Sequence, residues 1–269
     1  MTQNVTEPQT KPLALVTGAS SGIGFELAKQ FAEHGYDVVV NAEDAGIQKA
    51  AMLIQASGAH VVPVQADLRT EQGVAQLWSA VQALGRPLEA AALNAGVGQS
   101  GAFVDTDWAA DLSIMQLNVV STAALLKLAL VEMTARNSGR ILVTSSIAST
   151  MPGAYQPVYN ASKSFVQSLT EAVQAELKDK DSAVTVTSLM PGPVDTDFFE
   201  RAGLEDTAMG QGPKDGADEV AAQGFEALMA GERKVVAASL ATKAQAATAG
   251  VLPDAVKAAV HKVMAKPKD

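Results

Sequence analysis

The sequence predicts an α/β domain, a doubly wound parallel sheet of about seven strands flanked by helices on both faces. Three observations lead there. Short β-branched runs alternate strictly with amphipathic helical stretches through most of the chain, the order that builds parallel sheets joined by right-handed crossovers. A glycine-rich turn follows the first run and opens the first helix. Hydrophobic residues make up 48% of the 269 and aromatic ones only 4%, so small Ala and Val side chains let helices lie closely on a sheet.

Taken in order, residues 13–17 form the first strand, and the helix 23–34 is closed by Gly35. Strand 36–41, helix 43–57, strand 60–65, helix 70–84 and strand 88–93 continue the pattern. A long helix over 106–136 precedes the strand 140–146, a β-branched buried run that ends in hydroxyls. Pro157 suits the first turn of the next helix, where its missing N–H would have no partner anyway, and that helix runs to about Lys178. Strand 183–189 follows. Ligands of such sheets bind at the carboxyl ends of the strands, where Ser146, the loop after Leu93 and the turn Pro191-Gly192 all fall.

Nothing in the middle reads as a linker, so residues 13–236 are taken as one domain. Residues 1–12 are polar, without the apolar core of a signal peptide, and read as a disordered tail. The segment 195–218, rich in Gly and acidic residues with Phe198 and Phe199 embedded, reads as a mobile substrate loop or as a surface excursion covering the core. Residues 237–269 form a C-terminal helical extension, with helices at 242–249 and 254–264 parted by Pro253. That extension would close the substrate cleft, form a subunit interface, or pack on its own domain.

A net charge of -9 disfavours binding to nucleic acid or to an anionic membrane surface, since both depend on attraction to phosphate. The absence of cysteine excludes disulfides, Cys-ligated zinc and thiol catalysis, and fits a reducing cytoplasm. No run of about 18 apolar residues marks a membrane span; the nearest, 119–131, is interrupted by Ser121, Thr122 and Lys127. His34, His60 and His261 lie far apart with no carboxylates at ligand spacing, so no metal site is expected and all three read as surface residues.

Two motifs carry chemistry. Thr17-Gly18-Ala19-Ser20-Ser21-Gly22-Ile23-Gly24 occupies the strand-to-helix turn: Gly18 permits the turn, Gly22 lets a pyrophosphate reach the backbone, and Gly24 allows close packing of the helix. The helix N-terminus adds free N–H groups and the positive end of a dipole. Further on, Tyr159 and Lys163 of Val158-Tyr-Asn-Ala-Ser-Lys163 stand at i and i+4 and project from one helix face. A fixed positive charge favours the phenolate and lowers a phenol from its usual value of about 10. Tyr-x-x-x-Lys alone is common on exposed helices. Its setting raises it, with Ser146 thirteen residues upstream; Ser145 is the rival, and adjacent strand residues face opposite ways, so only one should reach the site.

Together these motifs resemble the short-chain dehydrogenases/reductases of the single-domain, Rossmann-fold type. The resemblance runs from about Leu13 to Thr196 and covers the loop 17–24, Asn94-Ala95-Gly96, Asn118, Ser146, the Tyr159/Lys163 pair, and Pro191-Gly192 with Thr196. It implies hydride transfer between a nicotinamide cofactor and a carbonyl or secondary alcohol of a small, apolar substrate. Tyr159 would move the proton at the substrate oxygen, and Ser146 would hydrogen-bond that oxygen. Lys163 would lower the phenol and bind ribose hydroxyls, and the Asn118 backbone carbonyl would hold a water leading to Lys163.

For the cofactor, the resemblance implies contacts from Gly18, Ser20, Ser21, Gly22, Ile23 and Gly24, from Asp67 and Leu68 at the adenine, and from Asn94, Ala95 and Gly96. Pro191, Gly192, Val194 and Thr196 would meet the nicotinamide end, although Val194 and Thr196 also suit turn and helix capping. NAD or NADP is implied. Ser21 and Ala42-Glu43-Asp44 stand where NADP-binding relatives carry a basic residue, which favours NAD with Glu43 on the ribose hydroxyls, although alanine occupies position 42 where an NAD-type aspartate is expected.

Related enzymes are commonly homodimers or homotetramers built on the long helices after strands four and five. Met151, Tyr155, Met190, Phe198, Phe199 and Met209 flank the site in sequence and are candidates for an apolar pocket. No basic cluster marks a surface for a phosphopantetheine carrier or a coenzyme A phosphate. The competing reading is a nucleotide-binding regulatory or scaffold protein without chemistry. Ser146, Tyr159 and Lys163 together favour the enzyme.

Overall fold

The computed structural model describes residues 11–237, 239 and 253–266. Residues 1–10 of the expected tail and the helix expected at 242–249 lie outside the described residues. Lys11 and Pro12 are tied to the body, Lys11 Nζ donating to the Gly58 carbonyl at 2.9 Å and the Asp37 N–H to the Pro12 carbonyl at 2.9 Å.

Seven strands form one wholly parallel sheet: β1 (Leu13–Thr17), β2 (Asp37–Ala42), β3 (Val61–Gln65), β4 (Leu88–Leu93), β5 (Arg140–Thr144), β6 (Thr185–Leu189) and β7 (Lys234–Val235). Their order is β3-β2-β1-β4-β5-β6-β7, so the winding reverses between β1 and β4, and a crevice opens there at the strands' carboxyl ends. All five residues of β1 are buried. Alternation sends Ala14 and Val16 into one core and Leu13 and Leu15 into the other, which is why the strand has no polar face.

The first core is covered by α1 (Gly22–Glu33), α2 (Gly46–Gln55) and α9 (Ala217–Ala230). Phe31 of α1 is fully buried, with edge-to-face contacts to Tyr36 and to Phe225 of α9 at centroid distances of 5.3 and 5.2 Å. The second core lies under α3 (Glu71–Gln82), α5 (Thr122–Ala135) and α6 (Pro157–Asp179), with α4 (Trp108–Ile114) leading into α5. Short helices α7 (Phe198–Arg201) and α8 (Ala208–Gln211) and the C-terminal α10 (Asp254–Ala265) stand at the strands' carboxyl ends.

Local chemistry explains the boundaries. The Thr70 side chain caps α3 by accepting from the Gly73 N–H at 2.9 Å, and Gly231, in the left-handed region at φ 69°, ends α9. Helix α2 starts at Gly46, later than expected, because the Asp44 carboxylate takes the Gly46 N–H at 2.7 Å in a turn. Strand β5 stops at Thr144, two residues short of the expected end, and Ser146 instead caps a 3-10 turn over Ile147–Thr150.

Helix α9 and strand β7 went unread in the sequence. The signal for α9 was Val220, Ala221, Gly224, Phe225 and Leu228 at helical spacing, with Gly231 as the stop. The segment 195–218 is more structured than a loop: α7, the turn after it and α8 enclose a small apolar cluster of Phe199, Ala202 and Leu204, separate from both cores.

The expected helix 106–136 is continuous from Trp108 to Ala135 but passes through a π-helical stretch, Met115–Ser121. Over those 28 residues it is long and apolar enough, by length and composition, to cross a membrane. Here its inner face, Leu117, Leu125, Leu126, Ala129 and Met133, belongs to the second core against the sheet. Its outer face leaves Val120 and Val131 exposed.

Candidate active site

A cavity runs along the carboxyl ends of the central strands, from the β2–α2 turn across the β1–β4 reversal to α7, α8 and α10. Its first half is backbone. Gly18 (φ 65°) and Gly22 (φ 57°) adopt left-handed conformations, and a Cβ at either would come 2.9 Å from Ala95 Cα or Thr196 Cγ2. A Cβ on Gly24 would strike the Gly18 carbonyl and the Asn94 amide, so this glycine serves the closeness of helix to loop rather than of helix to sheet. Ser21, at the N-cap, makes no side-chain capping bond, which leaves the first amides of α1 facing the cavity without a cap.

Asn94 ties three strand ends together. Its amide N–H groups face the carbonyls of Thr17 (3.3 Å) and Gly18 (3.5 Å), while its Oδ1 accepts from Thr144 Oγ1 at 3.1 Å. Thr17 Oγ1 in turn accepts the N–H groups of Asn94 and Ala95 at 2.9 and 3.0 Å. At the β2 end, Glu43 and Asp44 both line the cavity, with Ser20 Oγ donating to Asp44 at 3.2 Å. Arg69 bridges Glu43 and Asp67, its Nε donating to Asp67 Oδ1 at 2.8 Å. That bond, above all, holds the Asp67 carboxyl below its usual value. Sequence reasoning missed Arg69, since Glu43, the partner that draws it to the cavity, is brought from the turn after β2 by the fold, and only Asp67 stands near it in sequence.

The centre of the cavity gathers the expected chemical set. Tyr159 and Ser146 both line it, with the serine hydroxyl near enough to the phenol to act on its acidity. Ser146 Oγ also accepts the Ala148 N–H at 3.1 Å. Ser145 turns away, its Oγ donating to the Lys163 carbonyl at 3.3 Å and its N–H to the Leu189 carbonyl at 2.8 Å. Lys163 is buried, and among the described residues no carboxylate pairs with it. Its Nζ donates to the Thr144 carbonyl at 2.9 Å, lies 5.9 Å from the Tyr159 ring centre, and stands 3.2 Å from where a Gly96 Cβ would be.

Burial lowers Lys163 to about 8 and pushes the Tyr159 phenol up to about 12, with the Ser146 hydroxyl working against the rise. Burial thus outweighs, in the phenol's net value, the lowering expected from Lys163, whose ammonium donates to a backbone carbonyl. Asn118 is buried in the π-helical stretch, a deviation frequent at functional sites. Its side chain is fully engaged, holding Val97 through N–H and carbonyl at 3.0 and 2.9 Å and Ser162 Oγ at 3.0 Å.

The far half is made of side chains. Phe198 packs against Tyr159 with ring centres 5.3 Å apart, and Met151, Phe199 and Met209 add apolar wall. Tyr155 and Met190 are absent from the wall. Tyr155 occupies a left-handed turn at φ 66°, and Met190 is buried beside β7, its N–H on the Val235 carbonyl at 2.9 Å. In their place stand Gln156 and, from α10, His261 and Met264. His34 and His60 are exposed as expected, but His261 is buried, which corrects its reading as a surface residue.

A short chain dehydrogenase family model matches residues 12–206, well over half of the sequence. The chain belongs to the short-chain dehydrogenase/reductase family. It is an oxidoreductase. The 3-oxoacyl-acyl-carrier-protein reductase FabG of Pseudomonas aeruginosa is 33% identical over 191 residues, 69% of this chain and 75% of that protein. A family member from Burkholderia phymatum, solved in complex with NAD, superposes with a TM-score of 0.80 at 25% identity, covering 88% of this chain and 92% of that one. One from Sphingobium yanoikuyae, solved with NADPH, gives 0.76 at 25% identity over 96% and 98%.

Within this short-chain dehydrogenase the cavity collects nearly all the expected residues: Gly18, Ser20, Ser21, Gly22, Ile23, Glu43, Asp67, Leu68, Asn94, Ala95, Gly96, Ser146, Tyr159, Lys163, Pro191, Gly192, Val194 and Thr196. Gly24 and Asn118 stand behind the wall and shape it. Thr196 has the capping role considered for it as well, its Oγ1 accepting the Phe198 N–H at 3.3 Å.

Proposed function

We propose that the protein transfers hydride between NAD(P) and a carbonyl or secondary alcohol of a small, largely apolar substrate, with Tyr159 as the proton donor and acceptor. One observation carries this: Ser146, Tyr159 and Lys163 meet at the middle of a cavity whose two ends differ in kind, a backbone cradle on one side and apolar side chains on the other. The cradle fits a dinucleotide, because Gly18 and Gly22 hold the loop in left-handed turns packed too closely for any Cβ and the uncapped first amides of α1 favour a pyrophosphate. The solved relatives that hold NAD and NADPH support the same fit.

Bound nicotinamide supplies or accepts the hydride; the chain's residues handle orientation and the proton. Ser146 holds the substrate oxygen beside the phenol. A phenol near 12 is neutral at physiological pH and still far more acidic than an alcohol, so Tyr159 can give its proton to a forming alkoxide. Lys163 sits on the same face with an unpaired charge and favours that transfer, and its ammonium is placed to bind ribose hydroxyls beside Gly96. The π-helical stretch at Asn118 supports a water at its backbone carbonyl that leads a proton to Lys163. Phe198 and Met209 of segment 195–218, a mobile lid in this reading, exclude water from the site.

At the ribose end Glu43 is paired with Arg69, and the Asp44 carboxylate beside it favours the free hydroxyls of NAD over a 2′-phosphate. The exposed apolar residues Val120 and Val131 of the α4–α5 helix and Phe165 of α6 support a homodimer or homotetramer built on those helices, and the lack of cysteine supports the cytoplasm. The test is a panel of ketones and alcohols followed by nicotinamide absorbance, run side by side with NADH and NADPH. Turnover, faster with NADH, is expected. Demonstrated cofactor binding with no turnover of any compound would instead favour a non-catalytic nucleotide-binding protein.

A further inference from the structure

The substrate end of the cavity holds two buried polar groups that the proposed chemistry does not use. Gln156 is 2% exposed and lines the cavity three residues before Tyr159, and among the described residues its amide Nε2 has no hydrogen-bond partner. A buried amide N–H without a partner costs about 1–3 kcal/mol, so it is retained only for a reason. Its position is fixed by the turn that opens α6: the Gln156 N–H donates to the Gly153 carbonyl at 3.0 Å, and the Gln156 carbonyl accepts from Asn160 at 3.0 Å.

His261 of α10 is 3% exposed and lines the same end. Its Nδ1 lies 2.9 Å from the Ala154 carbonyl, and a carbonyl only accepts, so Nδ1 carries the hydrogen. Burial keeps the ring neutral, which leaves Nε2 as a bare acceptor. A second bond, Lys257 Nζ to the Thr150 carbonyl at 3.2 Å, latches α10 to the segment that carries Gln156. The remaining wall here, Met151, Phe198, Phe199, Met209 and Met264, is apolar, and Arg201 stands at the rim on Asp197. One unpartnered donor and one unused acceptor thus belong to side chains that line an apolar pocket from two chain segments far apart in sequence.

We propose that Gln156 and His261 form a subsite for a neutral hydroxyl on the substrate, remote from the carbon that exchanges hydride. A hydroxyl accepts from the Gln156 amide and donates to His261 Nε2, satisfying both at once; a carboxylate would leave the imidazole acceptor opposed. This subsite rests on the hydride-transfer reading and narrows its substrates to hydroxyketones and the corresponding diols. It also assigns α10 to substrate selection.

The test uses the full chain with pairs of ketones that differ only by a hydroxyl or a methyl at increasing distance from the carbonyl. The native enzyme is expected to favour the hydroxyl partner in kcat/KM by about tenfold or more at one spacing. Gln156→Met and His261→Phe should each bring that ratio to within about twofold of unity, whereas Val263→Ala, exposed on the same helix, should preserve it. Gln156→Met should also raise the melting temperature of the cofactor-free protein by about 2 °C, because it removes the unpaired amide; a merely structural glutamine would give a lower value. Turnover of both partners without preference at any spacing, or a preference that survives both substitutions, would overturn the subsite alone. Silence toward every ketone, with NADH or NADPH binding shown by fluorescence, would overturn the hydride-transfer reading and the subsite with it.

Discussion

The two halves of the cavity are built by opposite means. The cofactor half is backbone: strand ends β1, β4 and β5 are locked together through Thr17, Asn94 and Thr144, and glycines stand wherever a side chain would intrude. The substrate half is side chain: Phe198 and Met209 come from a satellite cluster, and His261 and Met264 from a helix held to it by a few bonds. A cradle of backbone tolerates almost no change and serves one ligand. A wall of side chains on late excursions can be rebuilt without touching the sheet.

The sharpest test of this division lies at the boundary. Tyr159→Phe should lower kcat by about 10²–10⁴-fold while cofactor affinity, measured by fluorescence titration, stays nearly unchanged. A smaller but still large effect separates the halves. Gly24→Ala drives a methyl into the Gly18 carbonyl and should cost about 1–3 kcal/mol of stability with a matching loss of cofactor affinity. Phe198→Ala should leave cofactor affinity alone and raise the substrate KM by roughly tenfold through lost apolar burial. If Phe198→Ala weakened the cofactor as much as Gly24→Ala, the two halves would not be independent.

The smallest effect concerns pH. Lys163, held at about 8 by burial, carries its charge below that pH and loses it above. Ketone reduction should accordingly fall as pH rises through about 8, since the phenol loses the neighbouring charge that favours giving up its proton. In Lys163→Arg, whatever its residual rate, that limb should vanish, because a guanidinium does not titrate there. A limb that persists near pH 8 in the arginine variant would assign it to another group.

The same division decided what the sequence made legible. Gly18, Gly22 and Gly24 show themselves because the need for a missing side chain is written in the residue type, and Tyr159 and Lys163 because a helix fixes their spacing. Strands β1 to β6 were legible from apolar runs closed by turn residues. Strand β7, Lys234–Val235, has only two residues and no pattern to read. Arg69, Gln156 and His261 were hidden for a common reason. Their importance lies in partners brought by the fold from Glu43, from the cavity and from Ala154, and a lone Arg, Gln or His in a sequence carries no trace of that. The raised phenol of Tyr159 was likewise hidden, because burial is set by Phe198 and the rest of the enclosure rather than by the helix that holds Lys163.

The most direct measurement of the central claim is isotope transfer. NADH or NADPH carrying deuterium at nicotinamide C4 is incubated with the enzyme and a ketone, and the alcohol is read by mass spectrometry and NMR. The account predicts deuterium on the carbinol carbon when the label sits on the face turned to the substrate, none when it sits on the other face, and no product from Tyr159→Phe beyond a trace. Alcohol formed without deuterium from either labelled face, or formed at the native rate by Tyr159→Phe, would contradict it.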